Sequence, residues 1–358
     1  MLRGSYESSS HGWMYNSNIA REVEEVRVLI LGGCGFVGRH MTKKLCDQGH
    51  DVVCVDNMVS ESSLHPSKWM DHLKPVKPFR FLDVDCREFF SESTEQFDMI
   101  IHLAAVVGGR LTIENQPLSV AEDLAIDAMM FNWAVKTNQK KVVFLSSSAA
   151  YPIQYQTRQN HRLLSEDLID LSSDVIGKPD LTYGWAKLTG EYLAKLAFER
   201  NGLQSVCFRP FSGYGEDQHL SYPFPSLVRK VIKSKGKSPI EVWSTGEQVR
   251  DFIYIDDCID AILHIAPQIN NGRAVNLGTG IPTSFNELIT KVWDMRYESG
   301  ESQLNRLLDK PEGVFYRVAD TLLMKGYGYQ PTTTLEQGIE KTFVHAYGMC
   351  KEDCGCWI

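Results

Sequence analysis

Residues 26–40, VRVLILGGCGFVGRH, join an apolar run to a glycine turn and then to the start of a helical pattern. Val26 to Leu31 reads as a strand buried on both faces. The turn Gly32-Gly33-Cys34-Gly35-Phe36-Val37-Gly38 follows it, and Arg39 to Gln48 continues as a helix. Glycines at these places allow positive φ, let the backbone approach a pyrophosphate closely, and let the helix pack tightly on the strand. A second run, Val52 to Val55, ends at Asp56, 24 residues after Gly32. A carboxylate there can accept hydrogen bonds from ribose hydroxyls and would repel a 2′-phosphate, so NAD is favoured over NADP. The competing reading is that Asp56 caps the next turn.

Working outward, further apolar runs lie at Phe79 to Leu82, Ile100 to Leu103, Val142 to Leu145 and Val206 to Phe208, separated by longer helix-like stretches. Such strands suit a parallel sheet covered by helices on both faces. The expectation is a Rossmann-type, doubly wound α/β domain over 26–210, with its ligand at the carboxyl ends of the strands. Those ends supply the expected cofactor contacts: Asn57 beside Asp56, Asp83 and Val84, and Leu103-Ala104-Ala105. Asp83 could meet an adenine amino group or serve as a cap. Beyond Pro210 the chain becomes rich in Pro, Gly and aromatic residues, with short runs at Ile240 to Trp243 and Val275 to Leu277. Residues 211–345 therefore read as a smaller substrate-binding lobe, interleaved with the last strands of the first domain.

Composition limits the alternatives. The 358 residues are 43% hydrophobic and 23% charged, with a net charge of -8, which argues against a nucleic-acid binder. There is no long apolar segment of membrane-spanning or signal-peptide type, so the expected location is cytoplasmic. Of nine cysteines, Cys34, Cys46, Cys54, Cys86, Cys207 and Cys258 are scattered as buried free thiols would be. Cys350, Cys354 and Cys356 fall in a tail, 346–358, without the spacing of a metal site. Residues 1–25, rich in Ser, Gly and Asn and then acidic, read as a flexible arm.

The chemistry is expected where the fifth strand ends in Ser146-Ser147-Ser148-Ala149-Ala150-Tyr151 and where Tyr183-Gly184-Trp185-Ala186-Lys187 begins a helix. Tyr183 and Lys187, at i and i+4, share one helix face. With a positively charged nicotinamide, the ammonium should lower the phenol pKa from about 10 toward the working pH. Tyr183 can then take a proton from a substrate hydroxyl as its carbon gives up hydride.

The glycine loop, Asp56, Leu103 to Ala105, Ser147, Tyr183 with Lys187, and Arg209-Pro210-Phe211-Ser212-Gly213-Tyr214-Gly215 together resemble the extended short-chain dehydrogenase/reductases, the nucleotide-sugar epimerase/dehydratase family. The resemblance covers about 26–345. It implies that Ser147 hydrogen-bonds the reacting sugar hydroxyl, that Lys187 also holds the nicotinamide ribose, and that Pro210 lies against the cofactor. It further implies a homodimer built on helices near Leu118 to Thr137 and Tyr183 to Arg200. Arg250, in Arg250-Asp251-Phe252, and Arg317 resemble diphosphate clamps, although each could be a surface ion-pair residue. Gly108, Gly109, Arg110 and Ser212 are the other expected substrate contacts.

Within the family, Leu103 to Arg110 and Ser147 to Pro152 are most similar to GDP-mannose 3,5-epimerase and GDP-fucose synthase. Those enzymes carry a strand-end cysteine where this chain has Ala149, which disfavours 3,5-epimerisation by that route. Dehydratases and decarboxylases place a carboxylate in the same segment, where this chain has Ser148-Ala149. Ser148 and His219 are secondary catalytic candidates, with a solvated loop histidine as the other reading of His219. The expected activity is an NAD-dependent 4-epimerase acting on a UDP- or GDP-hexose through a 4-keto intermediate. A net C4 oxidoreductase, a 3,5-epimerase and, remotely, a non-catalytic NAD-binding sensor are the alternatives.

Overall fold

The computed structural model describes residues 25–106, 108–237, 239–297 and 303–352. The arm before Glu25 and the cysteines Cys354 and Cys356 lie outside them, as does the side chain of Cys350. The centre is a seven-stranded, all-parallel sheet. Its strands are β1 (Arg27–Leu31), β2 (Asp51–Asp56), β3 (Arg80–Asp83), β4 (Met99–His102), β5 (Lys141–Leu145), β6 (Gln204–Pro210) and a last strand, Asn271–Leu277. The spatial order is Asn271–Leu277, β6, β5, β4, β1, β2, β3. The order reverses beside β1, so a crevice opens where β1 and β4 diverge to their crossovers.

Alternate residues of β1 explain the two-sided burial. Val28 and Ile30 enter a core with Met41, Val206 and the helix Ile255–Ile265. Leu29 and Leu31 face the opposite core, with Phe89, Met130, Trp133 and Phe144. All four residues are fully buried, as expected of an all-apolar strand under two helical layers. β3 departs from that expectation. It runs one residue later than the apolar run suggests, and Arg80 and Asp83 are exposed because β3 is the sheet edge. The first helix, Phe36–Asp47, starts three residues before the expected point, capped by Gly35. The expected helix from Leu118 to Thr137 is two helices, Pro117–Val120 and Glu122–Lys136. Among the described residues no helix is long and apolar enough to cross a membrane. The six scattered cysteines are buried free thiols, as expected.

Beyond β6 the chain forms short ladders over the carboxyl ends of the main strands. Val249–Arg250 pairs antiparallel with Thr283–Ser284 and parallel with Tyr316–Arg317. That register sets Arg250 directly beside Arg317. Two like charges side by side on neighbouring strands repel, so their pairing needs an anion nearby.

Candidate active site

The glycine turn sits between the ends of β1 and β4. Gly32 has φ +82°, and a Cβ there would lie 2.7 Å from the Ala104 nitrogen. Leu103 continues the ladder by donating its N–H to the Leu31 carbonyl (2.9 Å), which brings Leu103-Ala104-Ala105 against the turn. Gly35 caps the helix Phe36–Asp47 with no side chain over its N-terminus. Such an end presents free N–H groups and the positive pole of the helix to an anion. Phe36 borders Gly215, and Val37 and Gly38 complete the first turn. The turn, Asp56 and the Leu103–Ala105 segment fit a dinucleotide.

Asp56 does more than wait for a ribose. Its Oδ2 accepts the Cys34 N–H (2.9 Å), and its Oδ1 accepts the Met58 N–H (2.9 Å) and the Ser63 hydroxyl (3.4 Å). The capping reading therefore holds. Burial raises its pKa, against those hydrogen bonds. Capping does not explain Asp83: Asp85 caps the next helix, accepting from Arg87 and from Asn57 Nδ2 (3.0 Å). Asp83 ends β3 exposed, opposite Asp56 in the ladder, and Val84 donates to the Asp56 carbonyl (3.1 Å).

The reacting pair is built by a close approach. A Cβ on Gly184 would lie 2.3 Å from the Ala149 carbonyl oxygen, so glycine beside Tyr183 lets the helix Leu181–Asn201 rest on the strand-end turn. Ser147 accepts the Ala149 N–H (3.1 Å) and lies near enough to the Tyr183 phenol to favour its ionised form. Lys187, 3% exposed, holds its ammonium 5.6 Å from the Tyr183 ring centre and 5.3 Å from that of Phe144. Ser148 is buried in the same turn.

The protein's own groups raise the Tyr183 pKa, burial foremost, so the expected lowering rests on the nicotinamide cation. Asp123 and Asp127 add to the effect of burial, outweighing Lys187 and Ser147. The expectation counted Lys187 and a cationic nicotinamide but not two buried carboxylates. Burial pulls the Lys187 pKa down, yet Tyr183, Asp127 and Asp123 together leave it raised. At neutral pH these residues by themselves are a neutral phenol against an ammonium.

On the substrate side, Arg110 reaches both Asp180 oxygens (3.0 Å each) and Glu114 (2.6 Å). Arg317 donates to Asp180 (2.8 Å) and to Gln156 Oε1 (2.7 Å). Arg250 donates to the Val249 and Val314 carbonyls, and its pKa is pushed down to about 9 by burial and by Arg317 and Arg110. It is the cation of this group with no carboxylate bonded to it, which suits a phosphate. The surface ion-pair reading fails for Arg250, whose bonds go to carbonyls, and Arg317 is largely buried against Asp180. Gly313 faces the space between Arg110 and Arg250, and Gly109 abuts the Ser221 carbonyl. Gly108 packs on Thr112. Pro210 ends β6, and Ser212 opens the next short strand, its N–H bonded to the Asp251 carbonyl (2.9 Å).

His219 is not brought to the pair. Its Nδ1 meets the Ser221 hydroxyl (2.9 Å) and N–H, and no hydrogen bond joins it to Tyr183 or Ser147 among the described residues. Sequence reasoning missed Asp180, Gln156, Tyr222, Asp123, Asp127 and His102. For the last three a signal existed: two acids at i and i+4 among Leu124, Ile126 and Met130, and one polar residue ending an apolar strand.

A sequence profile for the NAD dependent epimerase/dehydratase family matches residues 28–278. The chain is 28% identical to a protein of Methanocaldococcus jannaschii named putative UDP-glucose 4-epimerase, over 88% of this chain and 96% of that one. It is 26% identical to GDP-mannose 3,5-epimerase 1 of Oryza sativa subsp. indica, over 89% and 81%. The crystal structure of a Thermus thermophilus UDP-glucose 4-epimerase in complex with NAD superposes with a TM-score of 0.72 at 20% identity, covering 89% of this chain and 98% of that one. The structural likeness bears on the fold. The two sequence identities are too close to choose between reactions.

Proposed function

This chain belongs to the NAD dependent epimerase/dehydratase family, the extended short-chain dehydrogenase/reductases of nucleotide sugars, and from that premise we propose that it is a 4-epimerase of a UDP- or GDP-hexose. The observation that carries this reading is the make-up of the strand end beneath the phenol. Ser147 is near enough to Tyr183 to favour its ionised form, while the neighbouring Ala149 and Ala150 are buried and offer neither thiol nor carboxyl. Proton transfer at an oxygen is provided for; proton transfer at a carbon is not.

Gly32, Gly35, Gly38, Asp56, Tyr183 and Lys187 would hold NAD, which would supply the hydride acceptor and donor for sugar C4. Ser147 orients the C4 hydroxyl, and Tyr183 takes its proton. Lys187 stabilises the phenolate form, and a nicotinamide cation would lower the phenol pKa further. Arg250 and Arg317 hold the diphosphate, so the sugar can turn about its anomeric link while its nucleotide stays in place. After that turn, Tyr183 returns the proton to the same oxygen. The buried Asp56 carboxylate supports NAD over NADP. Exposed Leu124, Met129, Trp185 and Tyr192, on two helices packed against each other, support a homodimer.

The test is incubation with a panel of nucleotide hexoses in deuterated water, followed by mass spectrometry and absorbance at the reduced-nicotinamide band. A 4-epimer without deuterium on carbon and without accumulating NADH is expected. Accumulating NADH would make the enzyme a net oxidoreductase, and solvent deuterium on carbon would make it a 3,5-epimerase.

A further inference from the structure

Behind Lys187, on the side away from the sugar, lies a pocket of charge that the proposed reaction does not use. Asp123 and Asp127 stand one turn apart on the helix Glu122–Lys136, and both are essentially inaccessible to solvent. Asp123 Oδ1 accepts the Val106 N–H (2.6 Å), and Asp127 Oδ1 meets His102 Nε2 (2.8 Å). The second oxygen of each carboxylate and the Nδ1 of His102 have no hydrogen-bond partner among the described residues. Buried polar atoms of that kind are rare in native structures and costly to keep. Here three lie together beside the reacting pair.

The charges facing this pocket can be counted. Lys187 is met by Tyr183 on its own helix and by Asp127 and Asp123 across from it. Asp123 also senses Glu122, its own neighbour. His102, from β4, faces Asp127, and the Cys207 thiol, from β6, lies within reach of it. Tyr222, from the loop over the site, faces Tyr183. Apart from His102, one ammonium thus answers two carboxylates before the phenol has lost a proton. A phenolate added to both would leave excess negative charge on groups buried from solvent, a strongly unfavourable arrangement.

We propose that Asp123 and Asp127 are positioning residues that act through Lys187, so that Tyr183 ionises in step with a proton held on this acid pair. This rests on Tyr183 as the proton acceptor of the reaction, and not on which sugar is turned over. A proton on the pair leaves the ammonium free to answer the phenolate; two bare carboxylates take the ammonium for themselves. Asp123 is the member suited to carry that proton, since burial pushes its carboxyl up to about 7 against the pull of Lys187. Groups this close titrate as a unit.

The test uses ultraviolet difference titration of tyrosinate in the NAD-loaded protein, wild type minus Tyr183→Phe, without substrate. Asp123→Asn can keep the Val106 hydrogen bond while losing the charge. It is expected to shift the Tyr183 titration about one pH unit or more to lower pH, and Asp127→Asn should shift it in the same direction. An unmoved titration in folded Asp123→Asn would overturn the proposal. Should that variant fail to fold, the wild type still decides. Its infrared spectrum should hold a protonated-carboxyl band at neutral pH that persists while Tyr183 ionises, and absence of the band, or its loss before the phenol ionises, would overturn the proposal equally. The measurement needs no turnover, so a protein inert to every nucleotide hexose would remove the epimerase reading and leave this one standing.

Discussion

The helix Leu181–Asn201 carries two buried charges one turn apart, Lys187 and Glu191, and the protein treats them in opposite ways. Around Glu191 every group is matched. Its Oε1 accepts from Ser146 (2.5 Å) and Arg209 Nε (2.8 Å), and its Oε2 accepts from Arg209 (2.6 Å). Arg209 also donates to the Tyr151 hydroxyl (3.0 Å), which donates to Asn276 Oδ1 (2.7 Å) on the last sheet strand. Around Lys187, one cation faces two half-satisfied carboxylates and a phenol. A completed network holds strands and helix in register and has nothing left to offer chemistry. An incomplete one stores a protonation change, which a proton-transfer site needs.

The contrast is broken most severely by Arg209→Met. It strands Glu191 as an uncompensated buried charge, with an expected loss of about 3–5 kcal/mol in denaturant unfolding. Tyr183→Phe should do the reverse: stability within about 0.5 kcal/mol of wild type, but turnover lowered at least about 100-fold, on the order of 3 kcal/mol in activation free energy. Thermal unfolding together with product assays separates the two. If both variants lose stability alike, the division between holding and reacting residues is wrong.

Asp123→Asn sharpens the comparison by its sign. A carboxyl whose folded pKa, about 7, exceeds the unfolded value of about 3.9 contributes stability that is present below pH ~4 and lost as the pH rises through 7. Wild type should therefore lose stability across that window while the variant does not, leaving Asp123→Asn the more stable of the two at pH 8 in urea unfolding. Removing a negative charge beside Lys187 stabilises; removing a positive one beside Glu191 destabilises. The smallest effect is expected at the other end of the crevice. Asp56→Ala should weaken NAD binding about tenfold in calorimetry, roughly one charge-assisted hydrogen bond, and narrow the preference over NADP. An unchanged preference would move the ribose contact elsewhere.

These regions also differ in how far the sequence discloses them. The glycine-turn side is legible because each part is contiguous: a strand, its glycine turn and its helix occupy residues 26–48. Tyr183 and Lys187 are legible for the same reason, being four residues apart. The arginine group is legible only as single residues. That Arg250 and Arg317 stand side by side follows from the pairing of Val249–Arg250 with Tyr316–Arg317, and that Arg110 and Arg317 share Asp180 follows from long-range packing. The direction of the Tyr183 pKa shift escapes a sequence reading because it depends first on burial of the phenol and then on Asp123 and Asp127, which lie far from it in the chain. Local patterning shows an acid on a helix; it does not show the acid turned inward against a lysine on another.

The proposed epimerisation requires a phenol that exchanges a proton with the sugar's C4 oxygen while the hydrogen on C4 leaves and returns. A nucleotide hexose carrying deuterium at C4, incubated in ordinary water and examined by mass spectrometry and proton magnetic resonance, addresses this directly. Retention of the deuterium at C4 in the product epimer is expected in wild type, with no product from Tyr183→Phe. Loss of that deuterium to solvent, or a wild-type rate in Tyr183→Phe, would contradict the account.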